Sequence, residues 1–515
     1  VKETASAGHL YGKPRIHMES FTSSHHWYEG PGDLKDSADR VFCEGANHIV
    51  WHTWSHAPPD SGQPGWVYGA GTHINRNVTW WPKIRPFIDY LSRSSFLLQR
   101  GKFVGDVLYY YGDGGFKFVP PRTPQPGLGR GFDYDFTNSD VILNRLTVRD
   151  GRFVLPDGTN YSVLVWPDQD DAHPAVLEKV EQLVAAGGTL IGPKPRRAAG
   201  LEGYPASEDR VRKLAARLWG DLDGKARTSR AHGKGRVYWG RTPAEVLSEM
   251  KIGPDFAGHE ALDFTHRRDG TADLYFVRNT QRKPLASKAV FRVTGRQPEL
   301  WDPVSGRMQN AEAWSTTGRG TEVDLNLAPH GSVFVVFRRP AASAPARRTS
   351  VQTASPDSVP VSGPWSVDFE RGPAAVAMPS LVSWTQHQNP EIRHFAGSAK
   401  YRTSFHMPAN WKSRKVHLDL GTLWAIGEVW LNGQPLGVVW TPPFEVDATK
   451  ALREGTNELV VEVINTWHNR LVGDATLAPG TRRTRTNITN SGGKVWGEAE
   501  LLNSGLFGPV RLVAR

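Results

Sequence analysis

Cysteine is almost missing from this sequence. Cys43 stands alone among 515 residues, so no internal disulfide can form. Its surroundings, Asp39-Arg40-Val41-Phe42-Cys43-Glu44, read as a helix face, which suits a buried structural thiol better than a nucleophile. Long hydrophobic runs are also missing: no stretch approaches the ~20 apolar residues that span a bilayer, so no membrane span is expected. Zinc-finger spacing and helix-turn-helix patterns are absent, and the dense basic cluster is confined to Arg482-Arg483-Thr484-Arg485. The formal net charge of +10 is therefore read as a solvated basic surface and not as a nucleic-acid interface, with an acidic polysaccharide as the second reading. No secretion signal is visible, and the chain opens on Val1, as expected of a processed or truncated product.

What is abundant is tryptophan, with 19 residues. Indole rings fill cores, and they also stack on the C–H faces of sugars. The packing role is expected to account for more than half of them. The length suits three or four domains.

Residues 1–145 alternate strand-like runs with helix-like segments, the pattern of βα units. Strands are predicted at 16–21, 48–54, 103–111 and 132–136, and helices at 31–45, around Ile84–Leu91, and from Ser139. Four such units are read as the C-terminal half of a (β/α)8 catalytic barrel whose other half is missing from this sequence, in preference to a smaller sheet of another kind. A separate α/β domain is expected at 146–252, a β-sandwich at 253–340, and a Pro/Ala/Ser-rich linker at 341–362. A second β module at 363–515 carries Asn432-Gly433, a strong hairpin signal, and fits a jelly roll. The predicted fold class is thus multidomain α/β plus all-β.

In a βα barrel the C-terminal strand ends carry the chemistry. Here they offer Glu19, then His52-Thr53-Trp54-Ser55-His56, then Tyr111-Gly112-Asp113, then Asp133-Tyr134-Asp135 with Asp140 beyond. Carboxyls, aromatics and imidazoles converging on one rim suit glycoside hydrolysis, which needs one protonated carboxyl and a second carboxylate opposite it. Each residue also has a plainer reading: Glu19 as a rim charge, Asp113 as a turn residue, Asp133 and Asp135 as loop charges, Asp140 as a helix N-terminal residue. His52 and His56 face one side but lack a third ligand at metal spacing, so they are expected to hydrogen-bond sugar hydroxyls.

The chain resembles the α-L-rhamnosidases of glycoside hydrolase family 106. The resemblance is carried by His9-Leu10-Tyr11-Gly12-Lys13-Pro14 leading to Glu19-Ser20-Phe21-Thr22, by 38–47, by Gly71-Thr72-His73-Ile74-Asn75-Arg76-Asn77-Val78-Thr79-Trp80-Trp81, and by 105–112. It runs on to Trp467–Asp474 and Gly505–Val510, and the C-terminal module is similar to the sugar-binding, galactose-binding-like jelly roll of family 2 β-galactosidases. The resemblance implies an inverting exo-hydrolase that releases terminal α-L-rhamnose, with calcium helping to hold the sugar. Glu19 matches the general acid. Asp140 is the first choice for the base and Asp113 the second, although the family pattern has Glu where this chain has Asp113. Candidate sugar contacts are His52, Trp54, His56, Asn75, Arg76, Asn77, Trp80, Tyr111 and Asp135, and candidate calcium ligands are Asp113 and Asp133. The carbohydrate would be a rhamnoside or a rhamnose-containing polysaccharide met outside the cytoplasm, so a secreted or periplasmic bacterial protein is expected. A carbohydrate-binding protein without catalysis, or another exo-glycosidase such as a β-galactosidase, are the competing readings.

Overall fold

The computed structural model describes residues 1–114, 125, 127–341, 357–411 and 414–514. Most of the expected linker, 342–356, lies outside the described residues.

The N-terminal region opens with α1 (Lys2–Leu10), followed by β1 (His17–Ser20), α2 (Pro31–Cys43), β2 (His48–Trp51) and α3 (Arg85–Leu98). α2 starts where local chemistry dictates. Pro31 presets the first helical φ, and the Asp33 carboxylate accepts the Gly30 N–H at 2.9 Å. Its stripe of Leu34, Ala38, Val41 and Phe42 is buried, as is Cys43. β1 and β2 pair in parallel as a two-stranded sheet.

The expected third and fourth barrel strands belong elsewhere. β3 (Val107–Tyr110) and β4 (Tyr134–Thr137) join 163–165, 189–191 and 235–238 in one parallel run, which 229–232 closes antiparallel. A four-strand half-barrel over 1–145 is therefore replaced by a two-strand unit and a six-stranded α/β sheet. The reason is that every βα unit presents the same apolar strand to sequence reading, while the pairing partner is set at long range. Val163–Val165 supplies the neighbour β3 needs, so its edge is covered without a barrel. α1 packs onto the same sheet, with Leu10 in its core.

Two β modules follow. The first stacks a four-stranded sheet on a six-stranded one, whose outer strand, Lys102–Phe103, comes from the N-terminal region. The second stacks 358–360, 511–514, 416–419 and 445–447 on a six-stranded antiparallel sheet. Ser358–Pro360, inside the expected linker, is thus a strand paired with Arg511–Val513. One apolar cluster ties three units together: Phe21, Phe87 and Tyr90 meet Phe276 and Phe334 of the first β module and Ile426, Trp440 and Ile464 of the second.

Candidate functional site

β1 and β2 run in register, Glu19 opposite Val50 and Ser20 opposite Trp51. Glu19 and the segment beginning at His52 therefore emerge side by side at the C-terminal strand ends. The His52 N–H donates to the Ser20 carbonyl at 3.0 Å and extends the ladder by one residue. Glu19 is exposed and accepts the Thr22 hydroxyl at 3.3 Å. It lines a hollow of about 210 Å³ together with Ser23, Glu29, Asp33, Arg40 and Thr72.

Glu29 is a residue that sequence reasoning missed. Its side chain is only 16% exposed. Burial pushes its carboxyl up, and the Ser23 hydroxyl pulls it part of the way back. A carboxyl raised by burial beside a second carboxyl is a feature of sites that move protons. Its position just before the capped start of α2 was the signal available. Asp33, by contrast, is committed to that cap.

Behind the hollow lie two buried imidazoles. His26 Nδ1 and His73 Nε2 are 2.8 Å apart with their rings stacked, 5.0 Å between centroids. Burial first, then the neighbouring His26 and His52, hold the His73 ring down to about 3. At neutral pH both rings are uncharged, and one donates its N–H to the lone pair of the other. Gly71 lets this segment approach: its φ is +91°, and a Cβ there would sit 2.2 Å from the His52 carbonyl oxygen. The Gly71 N–H donates to the Ser23 carbonyl at 2.7 Å.

Beside His52 a second, open hollow of about 540 Å³ is lined by His52, Trp54, His56, Trp66, Tyr68 and Asn487. Ten of the 19 tryptophans are buried, whereas Trp54 and Trp66 are 60% and 52% exposed, which sets these two apart from packing residues.

The remaining candidates fall into two groups. Asn75 is buried, and its side-chain oxygen accepts the Asn77 N–H at 2.9 Å. Asn77 donates to the Pro64 carbonyl at 3.1 Å, and the exposed Arg76 reaches the Ala57 carbonyl at 3.4 Å. These residues shape the loop that carries the aromatic hollow. Trp80 is 1% exposed inside the shared core, so it packs the domains together and is not a sugar contact.

Asp135 lies in β4 of the other sheet, Tyr111, Asp113 and Asp133 beside the ends of β3 and β4, and Asp140 on the helix Ser139–Asn144 that follows; none of them lines either hollow. Asp135 is fully buried beneath α1. It accepts Ser6 Oγ at 2.7 Å, Tyr161 Oη at 2.7 Å and His9 Nδ1 at 3.0 Å, with Lys2 Nζ at 3.6 Å. Burial alone would raise its carboxyl, but His9 and Lys2 outweigh that and bring it down to about 2. It is a structural anion, not a substrate ligand. Asp133 is paired with Lys2 at 3.0 Å, and Asp113 receives the Tyr110 hydroxyl at 2.5 Å and the His173 N–H at 3.1 Å. With one carboxylate already facing an ammonium and the other taken up by two donors, Asp113 and Asp133 do not fit a shared calcium ion. Asp140 accepts Tyr11 Oη at 2.6 Å and Asn144 Nδ2 at 2.9 Å, and these bonds hold its carboxyl low. Neither Asp140 nor Asp113 shares the hollow of Glu19, so the expected pairing of either with Glu19 across one rim is not what the fold builds.

The motif Trp467–Asp474 locks the modules together. Trp467 Nε1 donates to the Asn77 carbonyl at 2.6 Å, while Asn469 holds both the N–H and the carbonyl of Leu502.

Comparison with known proteins places these features in a family. Residues 1–314 match the family model of glycoside hydrolase family 106, described as alpha-L-rhamnosidase, and 385–487 match the galactose-binding domain-like model of glycosyl hydrolase family 2. The solved rhamnosidase of Novosphingobium sp. PP1Y is 33% identical and superposes with a TM-score of 0.87 over 99% of this chain and 48% of that one. A curated protein of Formosa agariphila named a putative beta-glucuronidase is 24% identical over 99% of this chain and 64% of its own length. The chain thus spans about half of the solved relative and under two thirds of the curated one. The architecture is multidomain and mostly sheet, with some helices and a galactose-binding-like domain, as in that rhamnosidase. With the family model covering 314 of 515 residues, the chain belongs to the α-L-rhamnosidases of glycoside hydrolase family 106.

Proposed function

We propose that the protein is a glycoside hydrolase that releases terminal α-L-rhamnose by an inverting reaction in which Glu19 acts as general acid. The supporting observation is Glu19 at the C-terminal end of β1, exposed in a concave hollow that also holds the buried carboxyl of Glu29. In that reaction Glu19 gives its proton to the glycosidic oxygen as the C–O bond breaks, and a second carboxylate takes a proton from the water that attacks the opposite face. Asp113 and Asp140 are not assigned as that base, because each is engaged beside the other sheet. The nearby Glu29 is the second carboxyl we assign to proton handling. Calcium enters this reading only through family membership, at a position other than Asp113 and Asp133. Action outside the cytoplasm, on rhamnosides of glycans, belongs to the same proposal.

The test is Glu19→Gln assayed on two α-L-rhamnosides. With an alkyl leaving group, turnover should fall by about 10²–10⁴-fold, the usual contribution of a general acid. With a dinitrophenyl leaving group, which needs no proton, most of the rate should survive. Equal losses on both substrates would move Glu19 from the leaving oxygen to the attacking water. Absence of rhamnoside cleavage by the unmutated protein, with galactoside cleavage in its place, would overturn the substrate.

A further inference from the structure

Trp54, Trp66 and Tyr68 are 60%, 52% and 59% exposed and share one open hollow. Single exposed aromatics are ordinary; three gathered beside a reaction site are not. The rings are held in place. Trp54 packs edge-on against Trp81, centroids 5.4 Å apart, and Tyr68 stands at a right angle to His52 at 5.3 Å. The Tyr68 N–H donates to Ser55 Oγ at 3.0 Å.

The C-terminal module secures the other flank. Asn487 accepts the Val67 N–H at 2.9 Å and donates to the Val67 carbonyl at 2.8 Å. Pro64–Gly65 pairs in parallel with Arg485–Thr486. The Val67 side chain is buried with Trp27, Leu471, Ile488 and Trp496. Trp66 and Tyr68, on either side of it, are thereby presented to solvent on a fixed backbone. Fixing a contact surface before binding lowers the ordering cost of the complex.

The lining identifies the occupant. Among the described residues no Lys, Arg, Asp or Glu lines the hollow; its polar groups are the imidazoles of His52 and His56, the hydroxyls of Thr53, Ser55 and Tyr68, and the Asn487 amide. Anionic sugars, nucleic acid and basic peptides would each leave a charge without a partner there. A neutral pyranose fits: its C–H face lies on an aromatic ring, and its hydroxyls reach imidazole and hydroxyl groups. The hollow also adjoins the one that holds Glu19, because Thr72 lines the Glu19 side while Gly71 touches His52.

We propose that Trp54, Trp66 and Tyr68 form a binding subsite for a neutral pyranose ring on the leaving-group side, the sugar to which terminal rhamnose is attached. This rests on the rhamnosidase reading of the adjoining hollow.

The experiment titrates the full chain, by calorimetry and tryptophan fluorescence, with methyl α-L-rhamnoside and with a disaccharide of α-L-rhamnose linked to glucose. The disaccharide should bind at least about tenfold more tightly, a difference of about 1.4 kcal/mol. Trp66→Ala and Tyr68→Ala should each remove most of that margin, Trp66→Phe should restore most of it, and Leu201→Ala, far from the hollow on an exposed turn, should keep all of it. Equal affinities in the unmutated protein, or a margin unchanged by both alanine variants, would overturn the subsite, as would tight binding of a rhamnoside with an aromatic aglycone and none of the disaccharide. Hydrolysis is followed separately. A margin without hydrolysis sinks the rhamnosidase reading and keeps the subsite; hydrolysis without a margin does the reverse.

Discussion

Acidification should loosen the site from behind, through the His26–His73 contact. The two ring nitrogens are 2.8 Å apart, so both rings can be neutral or one can take a second proton, but the shared hydrogen bond cannot survive double protonation. His73 is held at about 3 in the folded protein, chiefly by burial. In the unfolded or locally opened chain it returns to about 6.5. The open state thus binds more protons wherever the pH lies between these values, and stability falls as pH drops below about 6.5 and continues to fall until about 3. Between pH 8 and pH 5, the two ends of the assay below, the loss for His73 alone is roughly 2 kcal/mol. That is about a thirtyfold rise in the open population. His26, also held low by burial, adds in the same direction. The assay is hydrogen exchange of peptides covering 20–28 and 71–75 at pH 8 and pH 5, corrected for intrinsic rates. In His73→Gln the pH-dependent part should shrink to the share left by His26. Equal opening free energies at the two pH values, or an unchanged slope in the variant, would refute the reasoning.

Three further outcomes follow from packing and charge. Asp135→Ala leaves Lys2 paired with Asp133 but takes the acceptor from the buried Ser6, His9 and Tyr161, and should cost about 1–3 kcal/mol per orphaned donor, read as a lower melting temperature, while affinity for methyl α-L-rhamnoside stays the same. Any change in melting temperature on exhaustive chelation should be the same in Asp113→Asn as in the unmutated protein, because Asp113 is satisfied by protein donors; a fall that the variant abolishes would show that it ligates a structural cation. Trp440→Ala empties the centre of the cluster shared by three units and should cost about 3–5 kcal/mol, with faster proteolysis between the modules as the second readout.

What was legible in the sequence was local. The stripe Leu34, Ala38, Val41 and Phe42 gave α2, and the apolar run before Glu19 gave a strand with a carboxyl at its end. Asn432 and Gly433 take φ of +52° and +78° between the paired Leu431 and Gln434, which is the two-residue hairpin their chemistry favours. What was not legible was pairing at long range. Nothing near Val107 says that its neighbour is Val163 and not a barrel strand. Asp135 looks like a rim carboxylate until α1 is laid over it, bringing Lys2, Ser6 and His9 from more than 120 residues away. Trp80 and Trp66 are indistinguishable as letters; a core of residues from 21 to 464 swallows one, and a clamp from Asn487 holds the backbone beside the other in the open.

That last contrast bears on what the C-terminal module is for. A module attached only by a linker could be lost without touching the strand ends near Glu19. Here Trp440 packs on Phe87 and Tyr90 of α3 in the shared core, Trp467 holds the Asn77 carbonyl, and Asn487 fixes the segment that displays Trp66 and Tyr68. The last two contacts fall on the segment between β2 and α3, and their separations in sequence run to about 400 residues. The galactose-binding-like module thus supplies one wall of the aromatic hollow, through Asn487. Substitutions at its inner face, far from any reacting atom, should alter the affinity for the sugar beyond the glycosidic bond before they alter the chemistry at Glu19.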